Sequence, residues 1–131
     1  MSESTVAWVV AGVRAVIGTH TQAQDAGRTD EIVELYAPDA VLELPGMDPV
    51  EGHDALRAAF KSWEPTQPQL HLVTNTVVTA RGDDEATATS DVAFLQRGDS
   101  GWAVQLVGHY DDTLRLHGGS WLIQRRSTTF Q

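Results

Sequence analysis

Val6, Val9, Val10, Val13, Val16 and Ile17 recur at steps of three and four residues, the spacing of an amphipathic helix. This predicts a first helix from Thr5 to about Thr21. The stretch DAGRTDEIVELYAPDA then supplies a glycine-containing turn and a short second helix, with Thr29 as N-cap, Asp30 and Glu31 in its first turn and Pro38 beyond its end. AVLELP reads as a strand, and GMDPVEG as turn material around a brief extended piece. In HDALRAAFKSW, Leu56, Ala59, Phe60 and Trp63 share one helical stripe that Pro65 stops. From Gln69 onward the period changes to two, through QLHLVTNTVVTAR, EATATSDVAFLQR, GWAVQLVGHYDDTLRLH and SWLIQRRSTTF. Short turns separate these runs, which predicts an antiparallel meander of four long strands. Helices followed by strands indicate an α+β domain. The expected architecture is a curved antiparallel sheet wrapped around three N-terminal helices, a cone that encloses an apolar pocket.

The 131 residues, 41% of them hydrophobic, suit one domain spanning 1–131 with a single core. The balance of 18 acidic against 9 basic residues gives a formal charge of -9, which disfavours nucleic acid and anionic membrane surfaces as partners. Cysteine is absent, so disulfides, thiol catalysis and thiolate-bound metals are excluded. The amino terminus lacks a basic n-region, and no run of eighteen apolar residues occurs. A cytoplasmic location is the expectation.

Within QLHLVTNTVV, alternation places His71, Val73, Asn75 and Val77 on one face and Leu70, Leu72, Thr74, Thr76 and Val78 on the other. Both faces read as largely apolar, and an unpaired polar group buried there costs roughly 1–3 kcal/mol. A backbone group, a side chain or a ligand must therefore satisfy His71 and Asn75. His20 continues the stripe of Val9, Val13 and Val16, and Asp25 follows just past the expected helix end. Laid across the sheet, that helix brings His20, Asp25, His71 and Asn75 towards one apolar space. A carboxylate beside an imidazole fixes the tautomer through one ring nitrogen and leaves the other to take a proton. The plainer alternative is a buried histidine satisfied by a backbone carbonyl. His20, His71 and Asp25 are also nominally the two-histidine, one-carboxylate set of non-haem iron, but no HExxH-type spacing accompanies them.

QDAGRTDEIVELYAPDAVLEL, EGHDALRAAF, HLVTN, GHYDDTL and GSWLIQRR resemble, in order and spacing, the SnoaL-like branch of the nuclear-transport-factor-2-like cone fold. The resemblance covers nearly the whole chain. It is nearest in pattern to scytalone dehydratase, bile-acid dehydratase and hexachlorocyclohexane dehydrochlorinase, lyases without cofactor or metal. It implies His71 as the base that removes a proton next to a leaving group and Asp25 as its orienter. It also implies Tyr110, rather than its neighbour His109, as a pocket residue, and Arg126 as a group able to hold a polar part of the substrate, against the alternative of an exposed edge arginine. The family's acid partner has no clear counterpart here, Asp91 and Gln96 being the nearest candidates.

Together these readings predict a cofactor-independent lyase or isomerase of dehydratase or cyclase type. The expected substrate is a small apolar polyketide-, terpenoid-, steroid- or aromatic-like molecule. Asp25 and His71 are the catalytic pair, and His20, Asn75, Tyr110, Asp91 and Arg126 the substrate-binding set, with no metal. The alternative is a non-catalytic ligand-binding or assembly domain of the same fold. A cyclase or epoxide hydrolase that used a carboxylate pair to activate water or a carbon acid would need a second acid, such as Asp91, facing the pocket. An aromatic-rich sheet suggests self-association, as a homodimer or a trimer.

Overall fold

A computed structural model describes all 131 residues, Met1–Gln131. Helix α1 runs Glu3–Asp25, a turn longer at its C-terminal end than the apolar spacing predicts. Ser2 caps it, its hydroxyl accepting the Thr5 N–H at 3.1 Å. Val9, Val13, Ile17, His20 and Ala23 form its buried stripe, so His20 points inward as expected. The helix closes where Gly27 adopts φ 70° and the Arg28 N–H reaches back to the Ala23 carbonyl at 2.9 Å, a left-handed C-cap that glycine adopts without Cβ strain. Helix α2 follows at Thr29–Glu34 with Arg28 in the N-cap position, one residue before the threonine expected there. Strand β1 (Tyr36–Glu43), the two-residue β2 (Val50–Glu51) and helix α3 (Gly52–Ser62) come next.

The four long strands are β3 (Gln69–Ala80), β4 (Glu85–Gly98), β5 (Gly101–His117) and β6 (Ser120–Phe130). They pair as the expected antiparallel meander, and the complete order is β2-β1-β6-β5-β4-β3. One pairing departs from expectation: β1 lies parallel to β6. No hairpin joins these two strands, so the intervening helix and meander leave their relative direction free. The sheet is therefore mixed, curved and unclosed, with the three helices packed on its concave side. No helix is long and apolar enough to cross a membrane.

Three irregularities in the meander help to decide which side chains face inward. The register slips between Thr74 and Val77 on β3, between Phe94 and Leu95 where β4 meets β5, and between Thr113 and Leu114 where β5 meets β6. Each adds a residue to one strand, which bends it and reverses the alternation beyond the slip. In β3 the extra residue is Asn75, held at φ 55°. The half-buried positions pass from His71 and Val73 to Thr76, Val78 and Ala80, while Val77 becomes exposed. The single inward face expected for His71, Val73, Asn75 and Val77 is thus broken at Asn75. Leu70 and Leu72 are also exposed, so the strand is covered on one face only.

Val9, Val13, Ile17, Ile32, Val33, Leu56, Leu114 and Ile123 make the centre of the core. The outer face presents Leu70, Leu72, Val77, Val104 and Val107 with Trp102, so its apolar character is mainly aliphatic rather than aromatic. Trp121 packs between the sheet and α1 and is 6% exposed, with the Trp8 ring 5.9 Å away. A Cβ on Gly12 would meet Trp121 Cδ1 at 2.5 Å, whereas one on Gly18 meets nothing within 4 Å.

The two glycines of α1 should therefore respond oppositely to alanine. Gly18→Ala should stabilise by about 0.5–1 kcal/mol through helix propensity. Gly12→Ala should destabilise by about 1–3 kcal/mol, the range for overpacking a filled core. Urea denaturation of the two variants beside the wild type measures both signs.

Candidate active site

The end of α1 meets the free edge of β3 through one carboxylate. Asp25 Oδ1 accepts from the His71 ring Nδ1 at 2.6 Å and from Gln69 Nε2 at 3.1 Å. Its Oδ2 accepts the backbone N–H of His71 at 2.7 Å. Burial works to raise the Asp25 carboxyl, and the hydrogen bonds from the His71 ring and backbone and from Gln69 outweigh it, holding the group below its ordinary value. Asp25 is therefore the ionised acceptor, and His71 carries its ring proton on Nδ1. His71 Nε2 makes no hydrogen bond within the protein. The ring lies against Phe94, centroids 4.6 Å apart, and borders a cavity of about 360 Å³.

That cavity lies between α1, α3 and the sheet. Leu42, Phe60, Trp63, Val92, Phe94 and Leu106 supply much of its apolar wall, with exposed Glu64, Thr66 and Phe130 at the rim. Its polar lining includes His20, Tyr36, Tyr110, Arg126 and Thr128. His20 Nε2 lies 2.8 Å from the Tyr36 hydroxyl. Arg126 donates from Nε and Nη2 to the two oxygens of Asp112 at 2.8 and 3.0 Å, and its guanidinium sits 4.0 Å above the Tyr110 ring centroid. Arg126 is 2% exposed, so the exposed-edge reading of this residue is corrected. The slip in β6 is the reason: Trp121 and Ile123 face inward before it, Arg126 and Thr128 after it.

His20, Tyr110 and Arg126 thus line the same cavity as His71, and Tyr110 rather than His109 faces inward. Asn75 and Asp91 do not reach it. The bulge turns Asn75 to the outer face, where its Nδ2 donates to Asp91 Oδ2 at 2.9 Å; Asp91 also accepts from His109 Nδ1 at 3.1 Å. Asp91 therefore supplies no second acid to the cavity, which removes the premise of the carboxylate-pair variant, cyclase or epoxide hydrolase. Gln96 is in the lining. His20 bonds Tyr36 instead of joining Asp25 and His71, and no three histidine or carboxylate side chains are grouped as a metal centre requires. His53, at the start of α3, is half-buried and its Nε2 lies 2.7 Å from the Tyr36 carbonyl. Gln69, Tyr36 and Asp112 are the site residues that the pattern of the sequence did not single out. Gln69 alone carried a usable signal, two positions before His71 on the same strand face.

The model of the SnoaL-like domain matches residues 6–127, which is nearly the entire chain. The chain belongs to the SnoaL-like family. Among solved structures, this SnoaL-like domain is similar to a Mycobacterium tuberculosis protein of unknown function, with TM-score 0.90 and 20% identity over 100% of this chain and 77% of the other. A Novosphingobium aromaticivorans protein that bears scytalone dehydratase as a provisional name gives TM-score 0.89 and 18% identity, covering 99% and 89%. A Catenulispora acidiphila protein in complex with S-DNPA gives TM-score 0.84 and 23% identity, covering 95% and 94%. At these identities the likeness is one of fold. No curated protein matches the chain.

Two consequences of the buried polar groups in this SnoaL-like domain are measurable. Burial, reinforced by Arg126 and His71, holds the His20 imidazole well below its ordinary 6.5. The unfolded chain takes up this proton as the pH falls through about 6.5, while the folded chain takes it up only at lower pH. Between those points the unfolded state binds more protons, so His20 makes stability fall with acidification. The denaturation free energy should drop below about pH 6.5, and His20→Gln should flatten that slope relative to wild type. Separately, Asp112→Ala leaves Arg126 buried without its counterion and should cost about 3–5 kcal/mol, read by chemical denaturation at neutral pH.

Proposed function

We propose that this SnoaL-like domain is a cofactor-independent lyase or isomerase, of dehydratase or cyclase type, acting on a small and mainly apolar molecule. His71 is the general base and Asp25 its orienter. The observation that carries this reading is the 2.6 Å contact from His71 Nδ1 to Asp25, in a ring that borders the cavity. An ionised Asp25 fixes the proton on Nδ1 and stabilises the imidazolium formed when Nε2 takes a proton from carbon. The apolar wall supports it as well, because weakly acidic C–H bonds are broken more readily where water does not compete for the developing charge. A module that only bound ligands has no need of the contact. The provisional scytalone dehydratase name of one fold neighbour is compatible with the same chemistry.

The test needs no knowledge of the natural substrate. A panel of small apolar ketones, 1-tetralone among them, is incubated with the protein in D2O, and loss of the hydrogens next to the carbonyl is followed by proton NMR. Wild type should accelerate exchange in at least one compound. His71→Ala should abolish the acceleration with a thermal melt close to wild type, and Asp25→Asn should reduce it by about 10²-fold or more. Exchange that persists undiminished in His71→Ala would falsify the assignment of the base.

A further inference from the structure

The Asp25 carboxylate has to serve two forms of His71. It receives the Nδ1 proton while the ring is neutral, and again once Nε2 has taken a proton and the ring is a cation. The two forms pull on Oδ1 with different strength. A carboxylate steadied only by the ring it orients would therefore shift each time the ring changed charge. A donor that does not titrate is needed to hold it, and Gln69 supplies one.

Gln69 opens β3 and stands two residues before His71 on the same covered face of the strand. Its Nε2 reaches Asp25 Oδ1 at 3.1 Å, the oxygen that also accepts from the His71 ring at 2.6 Å. Chemistry fixes which end of the amide meets Asp25. An ionised carboxylate has no hydrogen to give, so only the NH2 end can bond to it. Oδ2 is held meanwhile by the His71 backbone N–H at 2.7 Å. Each carboxylate oxygen thus has one donor whose charge never changes, and the ring proton is the third.

Two features set this contact apart from the filling of space. Gln69 is neutral. A lysine or arginine in its place would hold the carboxylate as firmly but would cancel the charge that must offset the imidazolium. The pair is also within reach of water, since the side chains of His71 and Asp25 are 13% and 11% exposed. The amide takes the place on Oδ1 that a mobile water would otherwise fill, and at 9% exposed it is itself packed in position.

We propose that Gln69 is the positioning residue of the pair: its N–H donation fixes the plane of the Asp25 carboxylate, so that the ring proton of His71 stays on Nδ1 and Nε2 remains the nitrogen that takes and returns a proton. The inference rests on His71 as the base. Gln69 touches neither the reacting carbon nor its proton in this scheme and acts through Asp25.

The experiment observes the ring and needs no substrate. Protein labelled with ¹⁵N in its histidine rings is studied by proton–nitrogen correlation NMR at about pH 9, above the ordinary imidazole range, and the His71 signals are assigned by their loss in His71→Ala. Wild type should carry hydrogen on Nδ1 alone, with slow exchange of that proton with water. Gln69→Met keeps the length of the side chain and removes the donor. It should give a mixture of the two tautomers and speed exchange of the Nδ1 proton by about tenfold, the equivalent of one hydrogen bond to a charged group. Gln69→Asn, whose amide is one carbon too short to reach Oδ1, should do the same, and it carries the comparison if Gln69→Met does not melt cooperatively. On a ketone that wild type deuterates, Gln69→Met should lower kcat by about tenfold while KM stays within about twofold. A wild-type ring spectrum in both variants overturns the proposal, as does a loss confined to KM, which would make Gln69 a substrate contact. The base and its positioning residue fail separately. Deuteration undiminished in His71→Ala removes the base, and with it the catalytic meaning of Gln69, even where the ring spectrum responds. Deuteration that depends on His71, beside a ring spectrum indifferent to Gln69, keeps the base and removes only Gln69.

Discussion

The carboxylate of Asp25 joins the C-terminal end of α1 to the edge strand β3. β3 is a terminal strand of the sheet, and such an edge leaves backbone donors without a neighbouring strand. Asp25 accepts one of them, the His71 N–H, with Oδ2, and uses Oδ1 for the ring of the same residue. A single ionised group therefore satisfies part of the edge, sets the tautomer of the base and fixes the end of α1 against the sheet. Gln69 adds a further donor from the same strand, so the carboxylate is constrained by three hydrogen bonds rather than one.

The curvature of the sheet supplies the second half of the geometry. A regular strand keeps its alternation from end to end, and a cone built from regular strands would present one parity of each strand to its interior. The slips at Asn75 and beside Leu114 break that rule at the places where polar groups are needed. One turns Asn75 outward to bond Asp91, away from the cavity; the other turns Arg126 inward to meet Asp112. Bulges cost ladder hydrogen bonds locally and are placed where a side chain must be re-aimed. Here they separate a solvated cluster of Asn75, Asp91 and His109 from the buried set around Arg126.

The cavity consequently holds two kinds of polarity. Near His71 the charge is real but sits behind the imidazole, on Asp25. Around Arg126 it is internally cancelled, because the guanidinium and the Asp112 carboxylate form a two-point pair within the protein. Breaking such a pair is costly although forming it yields little net stability. The pair's value here lies in what it leaves available: a wall of aromatic and hydroxyl groups, Tyr110, Tyr36 and Thr128, with no net charge to select against an uncharged molecule.

The sequence by itself determined what depends on local spacing. The three-to-four-residue steps of α1, the period-two runs after Gln69 and the turns between them gave the α+β class and the meander, because they are the repeats of helices and strands themselves. The inward face of His20 was legible for the same reason, and the order of the five motifs carried the family. Only the tertiary structure decided the rest. The parallel pairing of β1 with β6 depends on a chain excursion that no periodicity records. The facing of Asn75 and Arg126 depends on bulges, and a bulge is one extra residue in a pattern that looks continuous without its partner strand. The contacts of Asp25 with His71, of His20 with Tyr36 and of Arg126 with Asp112 span 46, 16 and 14 residues. Distances of that kind are fixed by how the sheet bends around its helices, which no single stretch of the sequence contains.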